Sequence, residues 1–540
     1  MNHVHFVKAV HFVKVVRFVG IARFVLPALA CGLLEACATA APAPSTAAAR
    51  AKAIDTIYQR DLSARLVPML QEVLRFPTRA EDKEGHAAQK AWLFKTAAAS
   101  GFVARDAGKV TEIELPAADG APVLGLIVHG DVQPVDAEGW THPPFAGEVE
   151  RGVVYGRGAA DDKGPLIQAL LAMTALRDSG LPRTHTVRLL VGSDEESGST
   201  DLKEYVKSHA APDVTLVLDS DFPVTVGEKA WHALAVSGLR AERGSPLDYS
   251  IESLEAGLAP SIVPDKARLV LRWKAGAPRW TALIAKLRAK PLPQGTSATF
   301  AEEGPLLTIA VKGKAAHSGA NIEGGRNATV ALAILADGEL PASGWADLLG
   351  FAKLAGQGIY GEAFGLPAPD PLWGGMSVNV ATIGAVGDPW GNPKEPGALE
   401  LLINVRRSPA LGAPQLQEKL EAKAKEFNAR TGAALHIGGF HKDEPLVIDP
   451  NAKLVRRLLA AVERGTGKPA RGVTSGGGTY AKHVPNSIAF GMWFREAGPY
   501  PGHDVDEKIG VEWLQLGTKV LIEALADLAC GARMERPLEP

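Results

Sequence analysis

The stretch VLGLIVHGD, residues 123–131, is an apolar run that ends in two polar side chains, His129 and Asp131. Short apolar runs of this kind are typical of strands that are buried on both faces of a sheet. Similar runs follow at residues 187–192 and 214–218, and an apolar helical pattern at residues 165–177 lies between the first run and the second. This alternation of strands and helices predicts an α/β fold with a mostly parallel sheet.

The middle of the chain, from about residue 232 to residue 441, has a different pattern of predicted strands and helices. Strand patterns at residues 267–273 and 306–311 are mixed there with a helical pattern at residues 415–427, which predicts a separate α+β unit. Residues 336–373 are rich in Gly, Pro and Trp and have no clean periodicity, so we expect an ordered loop.

After residue 445 the sequence returns to the alternating helix and strand pattern of the first region. A helical pattern covers residues 451–464 and a strand pattern covers residues 487–494. The sequence therefore predicts one domain that is interrupted by an inserted one.

Composition narrows the kind of partner. The chain has 540 residues, enough for two or three domains. It is 46% hydrophobic with a formal net charge of -2, which gives no field that would draw it onto nucleic acid or anionic lipid. Only three cysteines occur, Cys31, Cys37 and Cys530, which argues against a disulfide framework. We therefore expect a small-molecule partner, and no particular oligomeric state is predicted.

The first 45 residues have the order of an export signal. Basic residues precede an apolar run at 24–34, which is too short to cross a bilayer of about 30 Å, and small residues follow. The alternative is an over-extended start followed by a buried helix. Residues 34–37, LEAC, resemble a lipoprotein cleavage box with an unusual Glu35, so lipidation at Cys37 and cleavage near Ala40 both stay open. We expect an exported protein of the periplasm or cell envelope, with membrane contact only through a lipid anchor at Cys37.

The polar end of the first strand has the residue types of a metal site. His129 and Asp131 are two residues apart, so their side chains point the same way in an extended chain. The histidine can bind a metal while the aspartate holds the imidazole in place, because a metal-bound imidazole usually donates its second N–H to an oxygen. Taken alone, a loop histidine beside an aspartate is more often a surface hydrogen bond.

A glycine-punctuated loop, GRGAADDKGP at residues 156–165, brings two adjacent carboxylates, Asp161 and Asp162, to the start of the first predicted helix. A helix N-cap would account for one carboxylate, but not for the second or for the glycines. A carboxylate has two oxygens and can bridge two cations. This loop is therefore a candidate centre of a dinuclear site.

Acidic residues and a histidine follow the other predicted strands. Glu195 and Glu196 come after the second run, Asp219 comes after the third, and His503 follows a fourth strand-like run. Each alone is typical of a solvated loop. Open α/β sheets bind ligands beyond the carboxyl ends of their strands, which would bring these groups together.

The combined set of two histidines and three carboxylates can hold two divalent cations. The three carboxylates carry a charge of about -3, and two divalent cations carry +4. The site would therefore keep positive charge, which can polarise a water and a carbonyl. Nitrogen and oxygen ligands without a thiolate suit Zn²⁺, with Mn²⁺ or Co²⁺ as alternatives.

These segments closely resemble the co-catalytic zinc exopeptidases and deacylases, a family that includes carboxypeptidase G, aminoacylase, carnosinase and the bacterial PepV-type dipeptidases. The resemblance extends from about residue 51 to residue 528. It implies five zinc ligands, which are His129 and Asp219 for one zinc, Glu196 and His503 for the other, and Asp161 as the bridge.

The same resemblance implies roles for the neighbours of the ligands. Glu195 resembles the general base of the family, and Asp131 resembles the residue that orients the His129 imidazole. The peptide between Asp161 and Asp162 lies where the family tends to have a cis bond.

Three features resemble the dipeptidase branch of the family. They are DSDFPV at residues 219–224, GGGTY at residues 476–480, and two catalytic segments around a long insertion. The implied architecture is a zinc-peptidase catalytic domain with an inserted α+β lid domain. The implied boundaries are an export signal and linker at 1–45, catalytic segments at 46–231 and 442–535, and the lid at 232–441.

Two residues of the lid are implied to contact the substrate. Arg406 resembles the group that takes the terminal carboxylate, a task that suits a bidentate guanidinium. The alternative for Arg406 is an arginine at a strand end on the surface. His317 resembles the lid histidine that reaches the scissile carbonyl and stabilises the oxyanion.

The GGGT loop offers further contacts to a substrate. The backbone N–H groups of Gly477, Gly478 and Thr479 are suited to bind a carboxylate. Ser261 stands where PepV-type enzymes tend to carry an Asn. Because Ser is shorter and donates one hydrogen bond, we expect substrate selection to differ near this residue.

The predicted function is zinc-dependent hydrolysis of dipeptides, in which Glu195 deprotonates a water that attacks the carbonyl and then protonates the leaving amine. An N-acyl amino acid deacylase, a desuccinylase or a carboxypeptidase would use the same metal residues, and a requirement for a free substrate amine separates them. A non-catalytic peptide-binding protein of the same fold is the alternative of another class, which metal content and turnover would exclude.

Overall fold

The apolar run that begins at residue 123 forms the strand Val123–His129 near the middle of a large sheet. The structure is a computed structural model that describes residues 44–135, 139–239, 242–384, 398–535 and 537–540. Within them the sheet has nine strands. The four central ones run parallel to each other, and the outer ones pair antiparallel except Val473–Ser475, which is parallel to its neighbour. Across the sheet the order is Val103–Ala107, Val110–Leu115, Thr186–Gly192, Val123–His129, Val214–Val217, Ser487–Ala489, Thr225–Glu228 and Leu446–Val447, and Val473–Ser475 also pairs with Thr225–Glu228.

Helices cover both faces of this sheet, as a parallel sheet requires. Leu126 and Val128 face the core that contains the helix Lys163–Asp178, whereas Ile127 between them faces the core of the helix Thr200–Ser208. Lys163–Asp178 is apolar nearly all round and almost entirely buried, because other helices pack against it on the side away from the sheet. The α-helices of the described residues are Ala47–Ile57, Leu66–Leu74, Lys83–Ala99, Lys163–Asp178, Thr200–Ser208, Thr281–Arg288, Ala328–Ala336, Gly344–Ala355, Ala413–Thr431, Lys453–Thr466 and Val511–Leu528.

A second sheet of eight strands is built entirely from residues between 230 and 441. It is antiparallel and has its own hydrophobic core, in which apolar side chains of the strands pack on helices such as Ala328–Ala336. Leu306–Lys312 shows the alternation of buried and less buried residues that a sheet covered on one face produces. The strand order is Ser297–Glu303, Leu306–Lys312, Lys266–Trp273, Tyr249–Ala256, Ser377–Gly384, Ala398–Arg407, Ala230–Leu239 and His436–His441.

Two small sheets complete the architecture. One joins Ser220–Asp221 to Met492–Trp493. The other consists of Glu148–Glu150, Val153–Tyr155 and Lys508–Gly510. The described residues from Pro44 onward form one compact unit.

Two predictions about secondary structure were wrong. The segment 336–373 was expected to be a loop, but it contains the helix Gly344–Ala355, which Ser343 caps by accepting a hydrogen bond from the Ala346 N–H at 3.3 Å. Its apolar residues recur at helical spacing and are buried in the second core, which outweighs the local Gly and Pro content. The predicted strand at 487–494 is interrupted at Gly491, whose φ of 68° is left-handed.

The predicted export signal, with Cys31 and Cys37, lies outside the described residues. Along the part of the chain that the structure covers, we find no helix with the length and apolar character needed to span a membrane. Cys530 is a free cysteine.

Candidate metal centre

Side chains from five separate segments meet at one edge of the large sheet. His129 is the last residue of its strand, Glu196 lies on the loop after Thr186–Gly192, and Asp219 lies just after Val214–Val217. Because these strands are parallel, their carboxyl ends share this edge. Asp161 arrives from the loop before the helix Lys163–Asp178, and His503 arrives from a loop where its own φ is 66°.

Asp161 lies at the centre of the group, with its two oxygens directed to different neighbours. Oδ1 is 2.9 Å from Nε2 of His129, and that nitrogen is 3.9 Å from Oδ2 of Asp219. Oδ2 is 3.4 Å from Nε2 of His503, which is 3.1 Å from Oε2 of Glu196. The structure therefore brings together all five residues implied as ligands. Asp161 lies between the other four, with one oxygen towards His129 and the other towards His503.

Glu195 also belongs to this neighbourhood. One of its oxygens lies within 4.8 Å of ligand atoms of both His129 and Asp219. Geometry alone thus permits Glu195 as a ligand as well as a base. The division of roles between Glu195 and Glu196 stays a prediction.

Asp131 contacts the His129 ring with both its main chain and its side chain. The Nδ1–H of His129 donates to the backbone carbonyl of Asp131 at 3.0 Å, while the Asp131 carboxylate is 3.5 Å away from Nδ1. That carboxylate accepts hydrogen bonds from the N–H groups of Glu195 at 3.2 Å and Glu196 at 3.0 Å. Asp131 therefore orients the imidazole mainly through its main chain, and its side chain positions the glutamate pair.

Glu507 is an important residue that the sequence argument did not single out. Its buried carboxylate accepts hydrogen bonds from Arg157 Nη1 at 2.8 Å and from the backbone N–H groups of Gly158, Ala160 and Asp161 at 2.9 to 3.1 Å. These four donors fix the loop that presents Asp161. The only signal in the sequence is that Glu507 ends the acidic run after His503, and such a run is ordinarily solvated.

The site concentrates negative charge, which favours bound cations. Burial raises the pKa of the Glu195 carboxyl well above its usual range, and the charges of Asp219 and Glu196 add to that effect while His129 opposes it. Burial also raises the pKa of Asp161, but its hydrogen bonds with His129 and His503 outweigh this and hold the pKa well below its usual range. The peptide between Asp161 and Asp162 is cis, as the resemblance implied.

The donor set fits divalent metal ions. The Nδ1–H of His129 is used by a carbonyl, so its Nε2 is the atom left to bind a metal. Imidazole nitrogens and carboxylate oxygens, with no thiolate in the group, suit Zn²⁺, Mn²⁺ or Co²⁺.

His317 approaches the metal ligands from the second sheet's side of the molecule, and its ring centroid is 4.6 Å from that of His503. Its Nδ1 accepts hydrogen bonds from the N–H groups of Gly319 at 3.0 Å and Ala320 at 2.8 Å. An imidazole nitrogen that accepts carries no proton, so the neutral ring has its hydrogen on Nε2. Burial, with the charges of His503 and Arg406, holds the pKa of His317 well below its usual range. His317 is thus a neutral donor.

Arg406 is buried, with an exposed fraction of 4%, on the strand Ala398–Arg407. Its Nη2 donates to Ser261 Oγ at 3.0 Å and its Nε lies 3.4 Å from Asn404 Oδ1. Among the described residues it forms no ion pair with a carboxylate, and burial lowers its pKa to about 10. Ser261, the position that departs from the PepV-type pattern, therefore contacts the predicted carboxylate-binding group directly.

The GGGT loop lies beside these groups, but two of its predicted donors are already in use. The Thr479 N–H and hydroxyl both donate to Glu228, at 3.0 and 2.7 Å, and the Gly477 N–H donates to Ser475 Oγ at 3.0 Å. Gly478 lacks a side chain at a point where an added Cβ would lie 3.1 Å from Lys482 Nζ. Substrate binding by the N–H groups of Gly477 and Thr479 would require them to leave these partners.

Most of these groups line one cavity of about 1160 Å³, whereas His129, Asp131 and Glu507 lie behind its wall. Asp161, Glu195 and His503 lie on its wall, and so do His317 and Arg406. The volume is slightly above the roughly 300–1,000 Å³ of typical small-molecule sites, so a dipeptide fits inside. The cavity thus combines a metal-binding wall, a neutral N–H donor and a buried guanidinium.

An α/β sheet with imidazoles and carboxylates gathered at its carboxyl edge, beside a cavity of this size, defines a metal-dependent hydrolase of small substrates. Comparison with known proteins names its family. The chain belongs to peptidase family M20/M25/M40, whose model matches residues 125–527. The predicted family and the predicted α/β fold are confirmed, and the protein is a peptidase.

Individual relatives agree with this assignment. The chain is 28% identical over 407 residues to the Beta-Ala-Xaa dipeptidase of Lactobacillus delbrueckii subsp. lactis, which is 75% of this chain and 82% of the relative. The structure of human carnosine dipeptidase 1 matches 90% of this chain and 99% of its own with a TM-score of 0.56 and 15% identity. The structure of the di-peptidase Dug1p from Saccharomyces cerevisiae covers 89% of this chain and 98% of its own chain, with a TM-score of 0.56 and 14% identity. The two solved structures show the shared fold.

Proposed function

We propose that the protein is a dipeptidase that works with two Zn²⁺ ions. The observation that carries the proposal is Arg406, a buried guanidinium without a carboxylate partner among the described residues, in the same cavity as the metal ligands. A guanidinium so placed binds a free carboxylate close to the bond that is cleaved, as in a small peptide. The Lactobacillus relative is named a dipeptidase, which supports the same substrate class.

The two metal positions follow from the two sides of the Asp161 bridge. His129 and Asp219 would hold one ion, and Glu196 and His503 would hold the other. When bound, the ions lower the pKa of a water and polarise the substrate carbonyl. The same ligands would accept Mn²⁺ or Co²⁺.

Glu195 moves the proton in the proposed reaction. Its carboxylate accepts a proton from the attacking water, whose oxygen forms a bond to the carbonyl carbon. When the C–N bond breaks, the same carboxyl returns the proton to the leaving amine, so the products are an acid and an amine. The Asp131 carboxylate keeps the base in place because it holds the Glu195 N–H.

His317 and Arg406 orient the substrate and stabilise charge. The Nε2–H of His317 donates to the carbonyl oxygen as negative charge develops there, and two backbone amides keep the ring in the tautomer that can do so. Arg406 binds the terminal carboxylate, which fixes the distance from that end to the scissile carbonyl.

A small substrate panel tests the proposal. The zinc-loaded enzyme should hydrolyse dipeptides such as Ala-Ala, lose turnover when a chelator removes the metal, and regain it when zinc is added back. The matched N-acetyl amino acids, which lack the free amine, should be hydrolysed much more slowly. Faster hydrolysis of the N-acetyl substrates would make the protein a deacylase, and a metal-loaded protein without turnover would be a binding protein.

Arg406→Lys should raise KM for dipeptides by roughly tenfold or more, because a point charge cannot reproduce the planar two-bond contact. KM for the C-terminally amidated analogues should change little, since they have no carboxylate for Arg406 to bind. Steady-state kinetics on the two substrate series provide the measurement, and the amides are the internal control. Equal effects on acids and amides would show that Arg406 does not bind the carboxylate.

A further inference from the structure

Lys229 is a second buried cation in the wall of the cavity, and the proposed reaction does not use it. It is the single residue between the strand Thr225–Glu228 of the large sheet and the strand Ala230–Leu239 of the second sheet. Its backbone N–H donates to the carbonyl of Ser475 at 3.1 Å, which fixes it beside the GGGT loop. Its exposed fraction is 6%, and its side chain lines the cavity.

The ammonium group of Lys229 has no carboxylate partner within the described part of the chain. Nζ donates to the backbone carbonyl of Gly375 at 2.6 Å, and an ammonium has three N–H donors. Two other cations of the cavity wall are neutralised, because Lys482 pairs with Asp443 at 2.7 Å and Arg495 pairs with Asp221 at 2.8 Å. Lys229 thus differs from them and resembles Arg406.

Lys229 directly precedes the strand of the second sheet that pairs with the strand of Arg406. Trp231 lies directly opposite Arg406 in the antiparallel register, so these two side chains are on one face. Lys229 is two residues before Trp231, and alternate residues of an extended chain point the same way. All three line the cavity, and burial lowers the pKa of Lys229, an effect that the charge of Glu323 opposes, the charge of Arg406 reinforces and the charge of Asp370 opposes.

Two buried cations that form no direct ion pair are costly for a protein to keep, unless an anionic ligand compensates for them. A carboxylate that Arg406 binds in the two-bond geometry uses both of its oxygens there, which leaves Lys229 available for a second anion. On the basis of the proposed dipeptidase function, we infer that Lys229 binds a second carboxylate of the substrate, so that the enzyme favours dipeptides whose C-terminal residue has an acidic side chain. Arg406 takes the α-carboxylate of that residue and Lys229 takes its side-chain carboxylate.

The first test compares two substrates that have the same shape and differ by one charge. Wild-type enzyme should hydrolyse Ala-Glu with a kcat/KM at least about tenfold higher than that for Ala-Gln, because only Glu pairs with the buried ammonium. The pair Glu-Ala and Gln-Ala should show no such ratio. Equal efficiency with Ala-Glu and Ala-Gln, or hydrolysis of Ala-Ala but of neither of these two, would overturn this inference and leave the dipeptidase function standing, whereas hydrolysis of none of the three would overturn the function itself.

The second test assigns the preference to Lys229. Lys229→Met keeps an unbranched side chain that is one atom shorter and removes the charge, so the ratio of Ala-Glu to Ala-Gln should fall to about one, while Lys229→Arg should keep a clear preference for Ala-Glu. Lys203→Met is the matched control, since Lys203 lines the same cavity and also donates to a backbone carbonyl, that of Gly198, but is partly exposed. Its ratio should stay at the wild-type value.

A binding measurement keeps the inference testable even if Lys229→Met does not fold. The reaction products glutamate and glutamine can be compared as inhibitors of the wild-type enzyme, and glutamate should bind at least about tenfold more tightly. Equal inhibition by the two amino acids, or an unchanged substrate ratio in a folded Lys229→Met enzyme, would overturn the assignment.

Discussion

Glu195→Gln should lower kcat by about 10²- to 10⁴-fold while both metal ions stay bound. The substitution removes the proton acceptor and nearly preserves the shape of the side chain. The N–H of residue 195 would still donate to the Asp131 carboxylate, so the loop should keep its position. KM should change little, because the proposed substrate contacts of His317 and Arg406 remain. Steady-state kinetics together with elemental analysis give the measurement.

Glu196→Gln is the matched control, since it makes the same chemical change one residue away. Glu196 Oε2 lies 3.1 Å from His503 Nε2 and accepts a hydrogen bond from Gln133 Nε2 at 2.8 Å, so it lies on the ligand side of the site. This variant should lose affinity for one metal and recover part of its activity when zinc is added. If zinc instead rescues Glu195→Gln, the two roles are exchanged. That outcome has a structural basis, because Glu195 is also within reach of His129 and Asp219.

Asp161→Ala should cost the protein both metal ions, whereas His503→Ala should cost mainly one. The reason is the geometry of the bridge, in which one carboxylate oxygen faces His129 and the other faces His503. Loss of His503 leaves the other side of the bridge intact. Metal content per chain, measured after dialysis against metal-free buffer, checks the prediction, and activity should be abolished in Asp161→Ala.

Asp221→Asn is a suitable control for that experiment. Asp221 is two residues from Asp219 but pairs with Arg495 at 2.8 Å, so its neutralisation should leave both metal ions bound. Retention of two metal ions per chain in both Asp161→Ala and His503→Ala would contradict the assigned ligands.

Local pattern was sufficient for the strands and helices that carry the site. The strand at 123–129 has the bounds that the apolar run predicted, and the helix predicted at 165–177 is Lys163–Asp178. Such elements are predictable because burial on both faces leaves a continuous apolar run in the sequence. The rule that ligands bind at the carboxyl ends of parallel strands then predicted that His129, Glu196 and Asp219 would meet.

The roles of single residues needed more than pattern. Nothing in the local sequence separates Glu195 from Glu196, and His317 and Arg406 are isolated residues of ordinary type. Their predicted roles came from the resemblance to a family, which the match over residues 125–527 confirms at the level of the family. The helix Gly344–Ala355 shows the opposite case, where local Gly and Pro content was misleading because burial in the second core decides the conformation.

By itself the sequence determined the α/β fold and the ends of the central strands, because each of these depends on residues close together in the chain, whereas the set of metal ligands stays a prediction from the family resemblance. The tertiary structure alone showed that Glu507 holds the Asp161 loop from 346 residues away, that two amides fix the tautomer of His317, and that Lys229 is buried without a carboxylate partner among the described residues. These features depend on which donors and charges meet across the fold. Hydrogen bonds and desolvation act over a few ångströms in space. The spatial distance between two residues cannot be read from their separation along the chain.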